Sequence, residues 1–362
     1  MKDLIEDLNG RDVPEAEADA AAKTETILQA RRFNPAVKPP TGSVLFTLNV
    51  NGKTIGVATT GNLVAVLAQV KAGKTAALGA MQACIMLPEN SEADCFGFKS
   101  SNLKGLAVLS FDTEQSPADH WEQVQSILRR AGLLTDAPPP WFYSYSLAGL
   151  DLGQRLKCIE KGIELAKKEC GGIHSVFIDG GADCVSNVND PVESNAYIAR
   201  LHGLAIEHVC VIVCALHFNP GDAAKARGHF GSELERKAET NLRLDKDERE
   251  ITEIWSNKNR KAGIPKRKGP CFQWSDAAGM HVSVESKGSR VDKEKSETLA
   301  MLADDIFRKR PAMSYSDIVA YLTAKKGLKL AERTAARRIS ELSRLGLIEK
   351  SAVGLWTPSK KR

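Results

Sequence analysis

From Asn62 onward, near-continuous apolar runs alternate with glycine-containing loops and helical segments, and this alternation constrains the fold more than any other feature. "LVAVLA" leads into a helix from about Lys74, "GLAVLSFD" into one near "ADHWEQVQSILRR", and "WFYSYS" into "GQRLKCIEKGIELAKK". "HSVFID" leads, after a polar loop, into "SNAYIARLHGLAIEH", and "VCVIVCALH" follows. Strands this apolar offer no face to water, so the pattern predicts a mainly parallel sheet covered by helices on both sides. The expected fold class is α/β, on the plan of a nucleotide-binding domain.

Residues 1–42 read as an acidic, helix-prone arm whose end, "RRFNPAVKPPTG", is an extended linker by its prolines. Asn51-Gly52 between two β-prone runs predicts a hairpin, so the core is expected over 43–285. "KGSRVDKEKSE" reads as a charged linker covering 286–295, and 296–362 hold three helical segments and a short hairpin, "LIEKSAVGLWTPS". The net charge of +5 is uneven: from Lys293 onward there are 16 Lys and Arg against 8 Asp and Glu, a local balance of +8. Such a basic end points to a polyanionic partner. No stretch approaches the roughly 18 apolar residues of a membrane span, and the acidic start lacks a signal-peptide apolar region, so a cytoplasmic location without membrane contact is expected. The eight cysteines include no CxxC pair, which argues against zinc.

"AQVKAGKTAAL" holds Gly73, Lys74 and Thr75 in the order of a phosphate-binding loop, with Ala68 where the first glycine would stand. Such a loop needs inward backbone N–H groups at a helix N-terminus, a lysine for the β and γ phosphates, and a hydroxyl for magnesium. Ala68, Gln69, Val70, Lys71, Ala72, Gly73, Lys74, Thr75 and Ala76 are the expected cradle for ATP, and Thr75 the expected ligand for Mg²⁺. Neighbouring strand ends supply the expected partners: Asp179 for the magnesium shell, Glu114 in "TEQS" to orient the attacking water, and His217 at the crevice.

With "AQVKAGKT", "SFDTE", "VFIDGGAD", "ALHFNPG", "RGHFGSELERKAE" and "WSNKNRKAG" in order, the chain resembles the RecA-like P-loop ATPases over about residues 43–285. Within them it is most similar to the hexameric replicative helicases of the RepA and DnaB type. The resemblance implies a ring with ATP sites between subunits, where Lys258 and Arg260 match a Lys-x-Arg element that reaches the neighbour's γ phosphate. It also implies that the loops after the Asp179 and His217 strands face a channel holding single-stranded DNA. "NPGDAAKARGHFGS" offers Lys225, Arg227 and His229 for its backbone, whereas "GADCVSNVNDPVES" is acidic and a poor candidate. Taken alone, "NKNRKAGIPKRKG" reads as a solvated basic loop or a nucleic-acid patch.

The C-terminal segment resembles a winged helix. "AERTAARRISELSRLG" is then the recognition helix, with Arg333, Arg337 and Arg344 toward DNA, Ile339, Leu342 and Leu345 toward the core, and Gly354 and Trp356 in the wing. The bland alternative pairs Arg337 with Glu341 at i,i+4. The whole implies a RepA-like replicative helicase of a plasmid, phage or other mobile element; an ATP-switched DNA-binding regulator and a recombination mediator without unwinding activity are the alternatives.

Overall fold

The computed structural model describes residues 13–37, 42–88, 91–219, 222–324 and 329–359. The chain divides between Gly42 and Ser43. In the first unit the described residues form helix α1 (Val13–Arg31) and a short turn, and from Ala20 to Val37 every side chain is exposed.

The second unit opens with the expected hairpin, β1 (Val44–Val50) and β2 (Lys53–Thr59). Asn51 and Gly52 both have positive φ, 51° and 80°, as a two-residue turn between twisted strands requires. The apolar runs then become β3 (Asn62–Ala68), followed by α2 (Lys74–Ile85), and, after β4 (Phe98–Lys99), β5 (Ala107–Asp112) with α3 (Pro117–Arg130). Next come β6 (Phe142–Ser146), α4 (Leu152–Cys170), β7 (Ile173–Asp179), a 3-10 turn over Gly181–Cys184, α5 (Pro191–Glu207), β8 (Val211–Asn219) and β9 (Asp222–Ala226). The core closes with α6 (Gly228–Lys237), β10 (Thr240–Lys246), β11 (Thr252–Asn259), β12 (Cys271–Ser275) and β13 (Met280–Val284).

Six strands run parallel in the spatial order β10-β3-β8-β7-β5-β6; β11, β12 and β13 extend the β10 edge antiparallel. The fold is thus α/β with a large mixed, mostly parallel sheet. Along β3, Val64, Val66 and Ala68 enter a core shared with α2, α3 and the small β2-β1-β4 sheet, while Leu63, Ala65 and Leu67 enter a second core shared with α4, α5 and α6. Burial on both faces is why these strands carry no polar alternation. The segment after the His217 strand, expected as a loop, instead returns as β9 against the end of β8.

Beyond the core lie α7 (Lys287–Phe307), α8 (Tyr315–Ala324), α9 (Glu332–Arg344) and the pair β14 (Ile348–Lys350) and β15 (Trp356–Pro358), around an apolar cluster of their own. Met313 joins Trp356 through an isolated antiparallel bridge. Two expectations are corrected here. The 286–295 stretch is helical from Lys287, because "KGSRVDKEKSE" contains no proline and runs in helix-competent residues straight into "TLAMLADDIF". Leu345 is 43 % exposed, at the C-cap of α9 beyond the last inward turn, while Ile339 and Leu342 are buried. Among the described residues no helix is long and apolar enough to cross a membrane.

Candidate functional site

Parallel register brings the polar strand ends to one edge. Ala68 pairs with His217, Asp179 with Ala215, and Asp112 with both Asp179 and Ser146. Ala68 is fully buried strand without positive φ, so no glycine is needed there. The turn comes later: Gln69, Val70 and Lys71 are exposed, Lys71 has φ 64° and Gly73 φ 78°, and Thr252 Oγ1 donates to Ala72 O at 3.1 Å. Ser116, Asp151 and Asp190 cap α3, α4 and α5 with their side chains, but α2 starts from Gly73 with no side-chain cap. The first amides of α2 therefore have no side-chain cap, an arrangement suited to an anion.

Lys74, 6 % exposed, is the hub. Its Nζ lies 3.0 Å from Glu114 Oε2, 3.0 Å from Asp179 Oδ1 and 3.3 Å from His217 Nε2. Burial works to lower its pKa, but Asp179 and Glu114 outweigh burial and raise it, so the ammonium stays charged. His217, whose Nε2 is 3.8 Å from Glu114 Oε2, and Lys74 hold the Glu114 carboxyl down to about 2, against its partial burial. Burial pushes Asp179 the other way, up, with Lys74 opposing and Glu114 adding to the rise.

Thr75 Oγ1 donates to Asp179 Oδ2 at 3.3 Å and accepts from Gln115 Nε2 at 3.4 Å. Asp179 Oδ1 is buried and its neighbour is the Lys74 ammonium at 3.0 Å, so the oxygen stands where positive charge is already favoured. One carboxylate and one hydroxyl, completed by phosphates and water, is the usual protein share of a Mg²⁺ site. Thr75 and Asp179 fit it.

Three further residues organise the site without having been singled out in the sequence. Asp112, at the end of β5, accepts the amides of Glu114 and Gln115 on Oδ1, both at 2.9 Å. Its Oδ2 lies 3.2 Å from His120 Nδ1, and His120 Nε2 lies 3.0 Å from Ser144 Oγ. An aspartate followed by Thr-Glu-Gln is a turn signal that could have exposed the first link; the other two join residues 8 and 24 positions apart.

The remaining expected residues lie elsewhere. Lys258 Nζ donates to the Glu235 and Arg236 carbonyls near the end of α6. Arg260 donates to Asn62 Oδ1 and Lys237 O, at the amino end of β3 and the opposite edge of the sheet from Lys74. Arg227 and His229 are exposed where α6 begins beyond the carboxyl edge, and the Lys225 side chain lies outside the described residues. Arg333, Arg337 and Arg344 are exposed on α9. Glu341 pairs with Arg338 and Lys295, not with Arg337 as the bland alternative had it. No family model and no curated protein matches this chain.

Proposed function

We propose that this chain is a RecA-like P-loop ATPase with a C-terminal winged helix, acting on DNA as a ring-forming motor of the RepA helicase type. One observation supports it above all: three separate strand ends deliver Glu114, Asp179 and His217 to within 3.3 Å of the Lys74 ammonium that follows an uncapped glycine turn. Phosphoryl transfer asks the protein mainly for positioning and charge, and this set supplies both.

In this reading the amides opening α2 and the Lys74 ammonium bind the β and γ phosphates. Thr75 and Asp179 would hold Mg²⁺, which would supply positive charge against the phosphate oxygens. Glu114 orients the attacking water and takes its proton. While Lys74 is paired with it, Glu114 is too acidic to be an effective base. Transfer of Lys74 to the phosphate removes one of the two partners that hold the carboxyl down and so makes Glu114 more basic, with His217 still beside it. A cavity beside Thr75, lined by Gln123, Arg130, Trp274 and His281, suits the nucleoside.

The place of Arg260 favours assembly. Seven residues of β3 separate its end of the sheet from Lys74, a span of roughly 20 Å at 3.3 Å per residue. It cannot serve its own site, so a role in hydrolysis requires a second copy of the chain. Arg333, Arg337 and Arg344 recur at helical spacing on the exposed face of α9, which supports duplex contact there. The test is direct: folded Lys74→Ala protein should lose ATP hydrolysis, and turnover at the wild-type rate would sink the reading.

A further inference from the structure

We infer that Asp112, His120 and Ser144 form a relay, buried at its first two members, that positions Glu114 for hydrolysis, an inference that rests on the ATPase reading above. None of the three reaches Lys74 in the structure, so they are positioning residues and not catalytic ones. Asp112 is 1 % exposed and His120 7 %, and an ionised carboxylate at that depth must be compensated by hydrogen bonds. It has two amides and an imidazole. Those bonds outweigh burial and keep its pKa below the usual range, so the carboxylate is the acceptor and His120 Nδ1 the donor. Its Nε2 meets the Ser144 hydroxyl on β6 at 3.0 Å, and that hydroxyl can serve as donor or acceptor.

The choice of amides makes this more than satisfaction of a buried charge. They belong to Glu114 and Gln115, whose side chains touch Lys74 and Thr75. A shift of this turn therefore moves both the water-orienting carboxylate and the neighbour of the metal ligand. The rest of the turn is pinned as well: Thr113 N donates to Asp179 O at 3.1 Å, Thr113 Oγ1 lies 2.9 Å from Asp183 Oδ2, and Ser116 caps α3. The backbone is fixed from three sides, while the Glu114 side chain, paired with Lys74, stays 35 % exposed. Preorganised backbone with a partly exposed carboxylate is what a general base that changes partners requires.

The test uses full-length His120→Ala, His120→Asn and Ser144→Ala, read by steady-state ATPase kinetics and by hydrogen exchange of the peptide spanning 112–118. The asparagine amide keeps a donor for Asp112 and loses the link to Ser144. A misplaced catalytic group costs roughly 10- to 100-fold in kcat, so His120→Ala should fall by that much with KM little changed and the Glu114 and Gln115 amides exchanging faster. His120→Asn should recover most of both, and Ser144→Ala should move both slightly in the same direction, which keeps the test decisive if His120→Ala does not fold. Wild-type kcat in folded His120→Ala, unchanged exchange at the two amides, or no recovery in His120→Asn overturns the relay. Turnover indifferent to Lys74→Ala and Glu114→Gln overturns the ATPase reading instead; turnover that needs both residues and ignores His120 overturns the relay alone.

Discussion

Gly73→Ala tests the physical basis of the loop apart from its chemistry. At φ 78° an L residue pays for the left-handed conformation, and a Cβ built there would stand 2.6 Å from Phe272 Cε2. The ring cannot simply swing away: Phe272 is fully buried, its ring centroid is 4.3 Å from that of Phe96, and Arg130 lies 4.5 Å over Phe96. The backbone term is about 1–2 kcal/mol and forced overpacking adds about 1–3 kcal/mol, so a loss of about 2–5 kcal/mol is expected. Gly171→Ala is the control, since Gly171 has φ 71° at the end of α4 with nothing within 4 Å of its Cβ position. It should show the backbone term alone. Urea unfolding without nucleotide gives both values, with unchanged m as the sign that only stability moved. Making room with Phe272→Leu in the Gly73→Ala background should yield a favourable coupling of about 0.5–3 kcal/mol. Equal losses at Gly73 and Gly171, or zero coupling, would refute the steric account.

Glu114→Gln should retain nucleotide binding and lose about 10²- to 10⁴-fold in kcat, and loss of tight binding together with turnover would make Glu114 structural. Because its carboxyl is lowered from 4.5 to about 2, its contribution is present above pH 4.5 and lost as pH falls toward 2; acid unfolding in that window should be less steep in Glu114→Gln, as followed by circular dichroism. Replacing Arg333, Arg337 and Arg344 with alanine should weaken duplex DNA binding and flatten the log–log salt dependence by up to about 3, and an unchanged slope would move that face to protein binding. Arg260→Ala should bind nucleotide and hydrolyse it poorly, and mixing it with Lys74→Ala should restore some activity; inactive hetero-oligomers, verified by mass spectrometry, would defeat the trans role.

Much of the core was legible because parallel strands buried on both faces have to be apolar throughout, and the first polar residues after each run fall at the carboxyl edge. Asp179, Glu114 and His217 were found that way. β10 and β11 were not, since "TNLRLDK" and "TEIWSNKN" carry charges into the interior. Arg243 is 5 % exposed there because Glu235 meets it at 2.7 Å and the Phe218 ring lies 5.0 Å from its guanidinium, contacts set by tertiary structure. Charge likewise masked the helix that begins at Lys287. The Asp112–His120–Ser144 chain has no local period at all, because a strand end, a helix and a neighbouring strand meet only once the sheet has formed.

The two carboxylates around Lys74 are not equivalent, and their difference assigns their roles on the ATPase reading. Both carboxylates meet Lys74, but the Asp179 side chain is 5 % exposed and also bonded to Thr75, whereas that of Glu114 is 35 % exposed and has His217 as its other neighbour. A phosphate drawn to the lysine competes with both for the same ammonium. Moving Asp179 would leave a buried carboxylate without its cation, which is costly, whereas the more exposed Glu114 can replace part of what it loses with water. Glu114 therefore yields first, and His217, whose ring nitrogen stands 3.8 Å from it, is the neighbour it keeps. Asp179 remains with Thr75 as the fixed pair for a metal, and the residue that moves is the one required to handle a proton.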